Sequence, residues 1–286
     1  RITVLRDGAS IVTLPTRDTT IPAIIKHMVG REISDLFPRR PVAASASEPI
    51  LSVRALTAAP TKNAPPFLRD ITFELRPGEV LGFGGLMGAG RTELLLHLYG
   101  AWGKRTAGEV RLRDLPYPDP DPRESIARGL VLATEDRRRH GLVLGESVGF
   151  NLSLPSLRRF TRAVGRIDQA AEHAENQRMF DALHVKAPGL EARTAGLSGG
   201  NQQKVAIAQA LNYGPKLLLL EEPTRGVDIH SKAEIYRLLR DYADEGHAVV
   251  IFCTEVLEVF EAADSVRVAS EGRLSEPLSI AGYQQV

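Results

Sequence analysis

The run Gly85-Leu86-Met87-Gly88-Ala89-Gly90-Arg91-Thr92 constrains this chain more than any other stretch. It keeps the spacing G-x-x-x-x-G-K-[ST], with Arg91 in the place of the lysine. Val80-Leu81-Gly82-Phe83 before it reads as a buried strand, and Thr92 to Leu98 after it as the start of a helix, the strand-loop-helix context that such a loop needs. Glycines let main-chain N–H groups approach phosphate oxygens, and a helix N-terminus adds partial positive charge. The Thr92 hydroxyl is a hard oxygen suited to magnesium. An ordinary glycine-rich turn is the competing reading, so the rest of the chain has to decide.

At 286 residues the chain can bury a sizeable core, as one large domain or one domain with an appendage. Its 36 basic and 35 acidic residues leave a formal charge of +1, so bulk charge selects neither nucleic acid nor an anionic membrane as partner. Cys253 follows the apolar run Ala248 to Phe252 and reads as a small core residue, which leaves no disulfide or cysteine-metal framework. No apolar stretch reaches the roughly 18 residues of a spanning helix, and no leader pattern is visible at the start. Any membrane role is therefore expected to run through a partner.

Ile2 to Gly8 reads as a strand entering a turn, and Val266 to Gly272 echoes it, which suggests the tails of two copies of one domain. Thr20 can cap a helix whose Ile21, Ile24, Ile25, Met28 and Val29 share a packing face. Prolines, small residues and Arg39-Arg40 between Phe37 and Pro49 read as a connector and linker. The expected division is a preceding unit's tail and connector over 1–40, a linker over 41–49 and the main domain over 50–286. Within it, Ile50 to Leu56, Leu68 to Leu75, Glu79 to Phe83, Gly108 to Leu112, Leu130 to Ala133, Leu217 to Leu220 and Ala248 to Cys253 read as strands. A helical, amphipathic insert occupies about 147–195, and strands alternating with helices predict an α/β domain on a mainly parallel sheet.

Two further segments carry chemistry. Leu217 to Leu220 delivers Glu221-Glu222-Pro223, two carboxylates at a buried strand end, where an NTPase handles its metal and attacking water. Leu197-Ser198-Gly199-Gly200-Asn201-Gln202-Gln203-Lys204 opens a helix with a hydroxyl and free N–H groups. Combined with the loop upstream, it resembles the LSGGQ signature of ATP-binding cassette (ABC) ATPases, with Asn201 at the first Gln position.

The chain as a whole resembles the second cassette of ribose- and galactose-type carbohydrate importers. That implies a P-loop NTPase fold with a mainly parallel core sheet, an antiparallel β subdomain and an inserted helical subdomain. It also implies ATP and Mg²⁺ as cofactors. Gly85 to Thr92 corresponds to the family's Walker A segment, Glu221-Glu222 to Walker B with the catalytic glutamate, and Asp228 to the D-loop. Glu135 stands at the Q-loop position and Glu255 at the switch position, where the family has Gln and His. The expected metal shell is Thr92, Glu221 and Glu135, and the expected catalytic acids are Glu222, Glu221 and Glu255. Ser198, Gly199, Gly200, Asn201 and Gln202 are expected at the nucleotide of a partner cassette. Partners implied are the first cassette, membrane permease subunits and, indirectly, an extracytoplasmic sugar-binding protein, at the cytoplasmic face of the membrane, with no nucleic acid. The permease groove is expected around Glu135 to Val148, and Phe67 is a candidate for adenine stacking or for the core.

Arg91, Glu221, Glu135 and Glu255 all depart from the family pattern, which predicts that the chain's own site binds nucleotide but turns it over slowly. A non-catalytic coupling module is the alternative, and a soluble repair or translation ATPase is a third reading that the balanced charge disfavours.

Overall fold

Short strands open the chain. The computed structural model describes residues 1–6, 8–29 and 47–278, so the connector and linker up to residue 46 and the Tyr283 to Val286 ending lie outside the described residues. β1 (Ile2–Arg6) and β2 (Ala9–Leu14) pair antiparallel, with Gly8 at φ 78° beside the turn. α1 (Ile21–Val29) follows, its Ala23 N–H donating to Thr20 Oγ1 at 3.4 Å as the sequence predicts. The packing face is only partly used: Ile24 is half-buried, but Ile21 and Met28 are 74% and 49% exposed. Two strands offer too little surface to cover an apolar helix face.

The main domain begins with an antiparallel sheet. β3 (Leu51–Ala59) pairs with β4 (Leu68–Leu75), where Leu68, Ile71, Phe73 and Leu75 point inward. The Pro77-Gly78 turn, with Gly78 at φ 84°, then carries the chain out of that sheet into β5 (Val80–Gly85) of a second one. α2 (Arg91–Tyr99) leads to β6 (Lys104–Leu112) and β7 (Leu115–Pro116), giving the order β4-β3-β6-β7. Both β3 and β6 run longer than the sequence suggests. The register shifts where Ala55 takes φ 49° opposite Gly108 at φ 84°, so a bulge hides the alternation that marks a strand.

α3 (Pro122–Ala127) is capped by Asp121 and leads into β8 (Leu130–Ala133) and the one-turn α4 (Arg137–His140). The inserted region contains α5 (Val148–Ser153), a 3₁₀ turn over Leu154–Phe160 and α6 (Gln169–Ala182). Its anchor is Asn151, fully buried, whose side chain accepts from Val143 N–H (2.7 Å) and donates to the carbonyls of Val143 and Ser147 and to Thr194 Oγ1. α7 (Gly199–Leu211), β9 (Leu217–Glu221), α8 (Ile229–Asp244), β10 (Ala248–Phe252), α9 (Val256–Ala262), β11 (Ser265–Ser270) and β12 (Arg273–Leu274) complete the domain.

The core sheet has the order β12-β11-β5-β10-β9-β8, parallel except for β12. Helices cover its strands, so Leu217 to Leu220 are all buried without alternation, each stabilising by about 1.5–3 kcal/mol. Parallel strands end on one edge. That edge collects Gly85 from β5, Thr134-Glu135 from β8, Glu221-Glu222 from β9 and Cys253-Thr254 from β10.

Candidate functional site

The loop after β5 is built on positive φ values: 145° at Gly85, 79° at Gly88 and 100° at Gly90. A Cβ at Gly85 would lie 2.5 Å from the Ala269 carbonyl oxygen, and one at Gly90 3.1 Å from Gly272 Cα, so the β11–β12 turn closes on the loop from behind. Gly88 faces open space. Ala89 is buried and accepts from Gly272 N–H at 2.9 Å, whereas the Leu86 and Met87 side chains project into solvent. The result is a curved stretch of main chain, open on one side, at the N-terminus of α2. A phosphate fits such a cradle.

Two carboxylates stand beside it. Glu221 Oε1 accepts from the Thr92 hydroxyl and its Oε2 from the Glu135 N–H at 3.3 Å. A hydroxyl and one carboxylate are the oxygen donors that Mg²⁺ takes from a protein when phosphates supply the rest. Glu222 takes φ 48°, and its N–H donates to the Phe252 carbonyl at 2.7 Å. Its Oε1 accepts from both the N–H (2.6 Å) and the hydroxyl of Thr254. Arg91 turns to the same place: Nη1 donates to the Cys253 carbonyl at 3.1 Å, Nη2 to Thr254 Oγ1 at 3.4 Å, and Nη1 stands 3.9 Å from Glu222 Oε1. Both side chains are little exposed, 11% and 13%.

Arg91, Thr92, Glu222 and Thr254 line a cleft of about 520 Å³, with the nearly buried Glu221 beside Thr92. Its rim is formed by residues that the sequence does not single out. Arg225 pairs with the Glu135 carboxylate, and the Glu135 main-chain N–H reaches Glu221. Lys232 pairs with Glu258 and stands 3.7 Å from Glu255. Glu255 is mostly exposed, and its hydrogen bond and charge repulsion with Glu258 hold its carboxyl above the ordinary value. Burial alone would raise Glu258 as well, but hydrogen bonds from Lys232, Thr224 and Tyr236 outweigh it and hold that carboxyl low. Cys253 is buried as expected, which pushes its thiol far up.

None of Ser198 to Gln202 lines the cleft, although a Cβ on Gly199 would lie 3.3 Å from the carbonyl of Gly226 and one on Gly200 3.5 Å from Val227, both of which do. Ser198 Oγ caps α7, accepting from Asn201 N–H at 3.4 Å and from Asn201 Nδ2 at 2.9 Å. A Cβ on Gly200 would lie 3.5 Å from Asp228 Oδ2, so Asp228 belongs to this second surface. Gln202, expected at a nucleotide, is 3% exposed and donates inward to the carbonyls of Thr194 (3.2 Å) and Leu197 (3.3 Å). Its side chain shapes the segment from beneath, because a buried amide must take its partners from the main chain around it.

Residues 68–225 match the family model described as ABC transporter. The chain belongs to the ABC transporter family. This ABC domain is 42% identical over 274 residues to the xylose import ATP-binding protein XylG of Burkholderia cenocepacia (strain HI2424), covering 96% of this chain and 52% of that protein. It is 40% identical over 278 residues to the ribose import ATP-binding protein RbsA of Chelativorans sp. (strain BNC1), covering 97% and 53%. The chain thus spans about half the length of the curated relatives it matches. A dimeric ATP-binding cassette in a post-hydrolysis state, bound to ADP and phosphate, superimposes with a TM-score of 0.69 at 20% identity, covering 82% of this chain and 100% of that one. At that identity the likeness carries the fold alone.

Among the cleft residues of this ABC domain to which sequence reasoning gives no role are Thr224, Arg225, Lys232, Thr254 and Glu258. Thr254 and Glu258 flank Glu255, and Arg225 follows the paired acids by three positions, so nearness in sequence to the named acids was the available signal. Phe67 packs edge-on against Trp102, with ring centroids 6.1 Å apart, and does not line the cleft.

Proposed function

We propose that this chain is the ATP-binding half of a sugar importer's motor, its cleft holding Mg-ATP and its signature serving a second cassette. The observation that carries the first part is the convergence, on one sheet edge, of the open glycine cradle, the Thr92–Glu221 pair and Glu222. The cradle's N–H groups and the α2 N-terminus hold phosphates, and Thr92 and Glu221 hold the metal. When bound, Mg²⁺ neutralises phosphate charge. Glu222 is placed to accept a proton from an attacking water, but its Oε1 already accepts twice from Thr254, with Arg91 Nη1 3.9 Å away. That oxygen must first be freed from Thr254 before it can take the proton, so turnover here is slow.

The second part rests on separation. The capped α7 N-terminus and Asp228 stand outside the chain's own cleft, which suits a signature that completes the site of another cassette. Support for a tandem comes from the echo: β1, Gly8 and β2 repeat the strand-turn-strand pattern of β11, Gly272 and β12, with φ 78° and 74° at the two glycines. This favours residues 1–40 as the tail of a first cassette with its connector, 41–49 as a linker and 50–286 as the second cassette. The relatives' names, xylose and ribose import ATP-binding proteins, support sugar import with permease and sugar-binding partners. Among the described residues no helix is long and apolar enough to cross a membrane. The relatives' import names favour a place at the cytoplasmic face, attached through the permease. A groove of about 170 Å³ bearing Arg137, His140 and Gly141 is the surface offered to it.

Calorimetric titration of Mg-ATP into the chain, with single-turnover phosphate release, tests this reading: binding with slow release is expected, and absent binding or brisk release overturns it. A non-catalytic coupling module is the second reading, favoured by the Arg91–Glu222 contact. Ser198→Ala in the tandem protein separates them, because loss of transport-coupled ATPase requires a catalytic contribution from this chain.

A further inference from the structure

In the wall of the cleft, the Glu258 carboxylate collects three donors from two other parts of the chain. Lys232 Nζ and Tyr236 OH (2.8 Å) reach it from α8, and Thr224 Oγ1 (2.6 Å) from the loop that follows β9. Tyr236 OH also lies 2.9 Å from Thr224 Oγ1 and 3.6 Å from Cys253 Sγ, so the network spans from the β9 loop to the end of β10. Thr224, Tyr236 and Glu258 are 2%, 5% and 8% exposed. A carboxylate withdrawn this far from water is tolerated only when its oxygens are fully engaged. Burial also raises the Tyr236 hydroxyl well above its ordinary range, so it stays protonated and remains a donor.

The position of this network matters more than its strength. Thr224 is two residues beyond Glu222, and Glu258 is three beyond Glu255 and four beyond Thr254, whose N–H and hydroxyl hold Glu222. Lys232 stands near Glu255 as well. One buried anion therefore links both acid-bearing loops to α8, which begins directly after Asp228.

We propose that Glu258 is a positioning residue of this cleft: through Lys232, Tyr236 and Thr224 it holds the Glu222 and Glu255 loops in the register that hydrolysis needs, without touching nucleotide itself. The inference rests on the reading of the cleft as an Mg-ATP site. Rigid support of a reacting constellation acts on rate more than on affinity.

The experiment measures, on the whole chain, Mg-ATP affinity by calorimetry, phosphate release under single-turnover conditions and the thermal midpoint. Glu258→Ala is expected to slow release at least tenfold while affinity stays within threefold. Glu258→Gln, whose amide oxygen still accepts from Thr224 and Tyr236, is expected to recover to within threefold of the wild type. Should the alanine variant not fold, the double variant Thr224→Val/Tyr236→Phe carries the test, with the same tenfold slowing expected. Unchanged release, affinity that falls in step with rate, or a glutamine variant as slow as the alanine one overturns the proposal. Failure of the wild-type chain to bind Mg-ATP overturns the cleft reading and this inference together. Wild-type binding with unaffected variants overturns this inference alone.

Discussion

The Arg91 guanidinium stands 3.9 Å from the Glu222 carboxylate, and the two share Thr254, whose hydroxyl accepts from Arg91 and donates to Glu222. The cation of the phosphate loop and the acid at the end of β9 are thereby engaged with each other and with the end of β10. A shorter side chain at position 91 cannot reach both the Cys253 carbonyl and Glu222 with a planar fork. Arg91→Lys is therefore expected to release Glu222 and raise single-turnover hydrolysis by about tenfold or more, the scale of one well-placed electrostatic contact. Phosphate release from the purified chain measures it, and an unchanged rate removes Arg91 as the cause of slow turnover.

Removing the cation without replacement acts on stability. Arg91→Met leaves Glu222 nearly buried without its countercharge, and breaking such a pair costs about 3 kcal/mol. Equilibrium unfolding in urea reads this as a lower midpoint. A loss below about 1 kcal/mol would mean that Glu222 relaxes into solvent.

At the cleft mouth, Arg225 compensates the Glu135 carboxylate. Arg225→Ala exposes a polyanion to that charge, so Mg-ATP affinity is expected to fall about tenfold, or 1.4 kcal/mol. The double variant Arg225→Ala/Glu135→Gln is expected to regain most of the loss. Calorimetry on the four proteins of the cycle decides whether the two positions are coupled.

Acid should expose the Glu258 network. The folded-state pKa of Glu258 is depressed below its ordinary value near 4.5, so its stabilisation is complete above that value and is lost as pH falls through the folded pKa. Glu255 is raised, which has the opposite sign: it opposes folding once ionised and relents as pH drops. Wild-type stability from Glu258 should thus decline below about pH 4.5, and Glu258→Gln should flatten that decline. Urea midpoints from pH 3 to 7 measure the difference between the two proteins.

The inserted helical region offers a test away from the cleft. Asn151→Ala takes from the Val143 N–H the side chain that accepts it, while the Val143 carbonyl keeps the Glu146 N–H at 3.0 Å. At about 1–3 kcal/mol for one unsatisfied group, a loss of about 1–3 kcal/mol is expected in urea unfolding. A loss below 1 kcal/mol would indicate that water enters the site.

What the sequence determined by itself was local: the strand-loop-helix around Gly85 to Thr92, the all-leucine strand that delivers Glu221 and Glu222, and the Ser198 cap of α7. Each is decided within about ten residues, by φ requirements, hydrophobic runs and capping chemistry. Beyond that range the tertiary structure decided. Pro77-Gly78 reads as a turn, but only the folded domain shows that it passes the chain from one sheet to another. Gln202 reads as part of the signature, but only the fold shows its side chain turned inward to the carbonyls of Thr194 and Leu197. Arg225 and Glu135, 90 positions apart, and Arg91 and Thr254, 163 apart, meet because parallel strands end on one edge, a consequence of sheet order that no local pattern encodes. Composition marked Arg91 as a departure from a lysine. Its partners, and hence the restraint it places on Glu222, exist only once β5, β9 and β10 lie side by side.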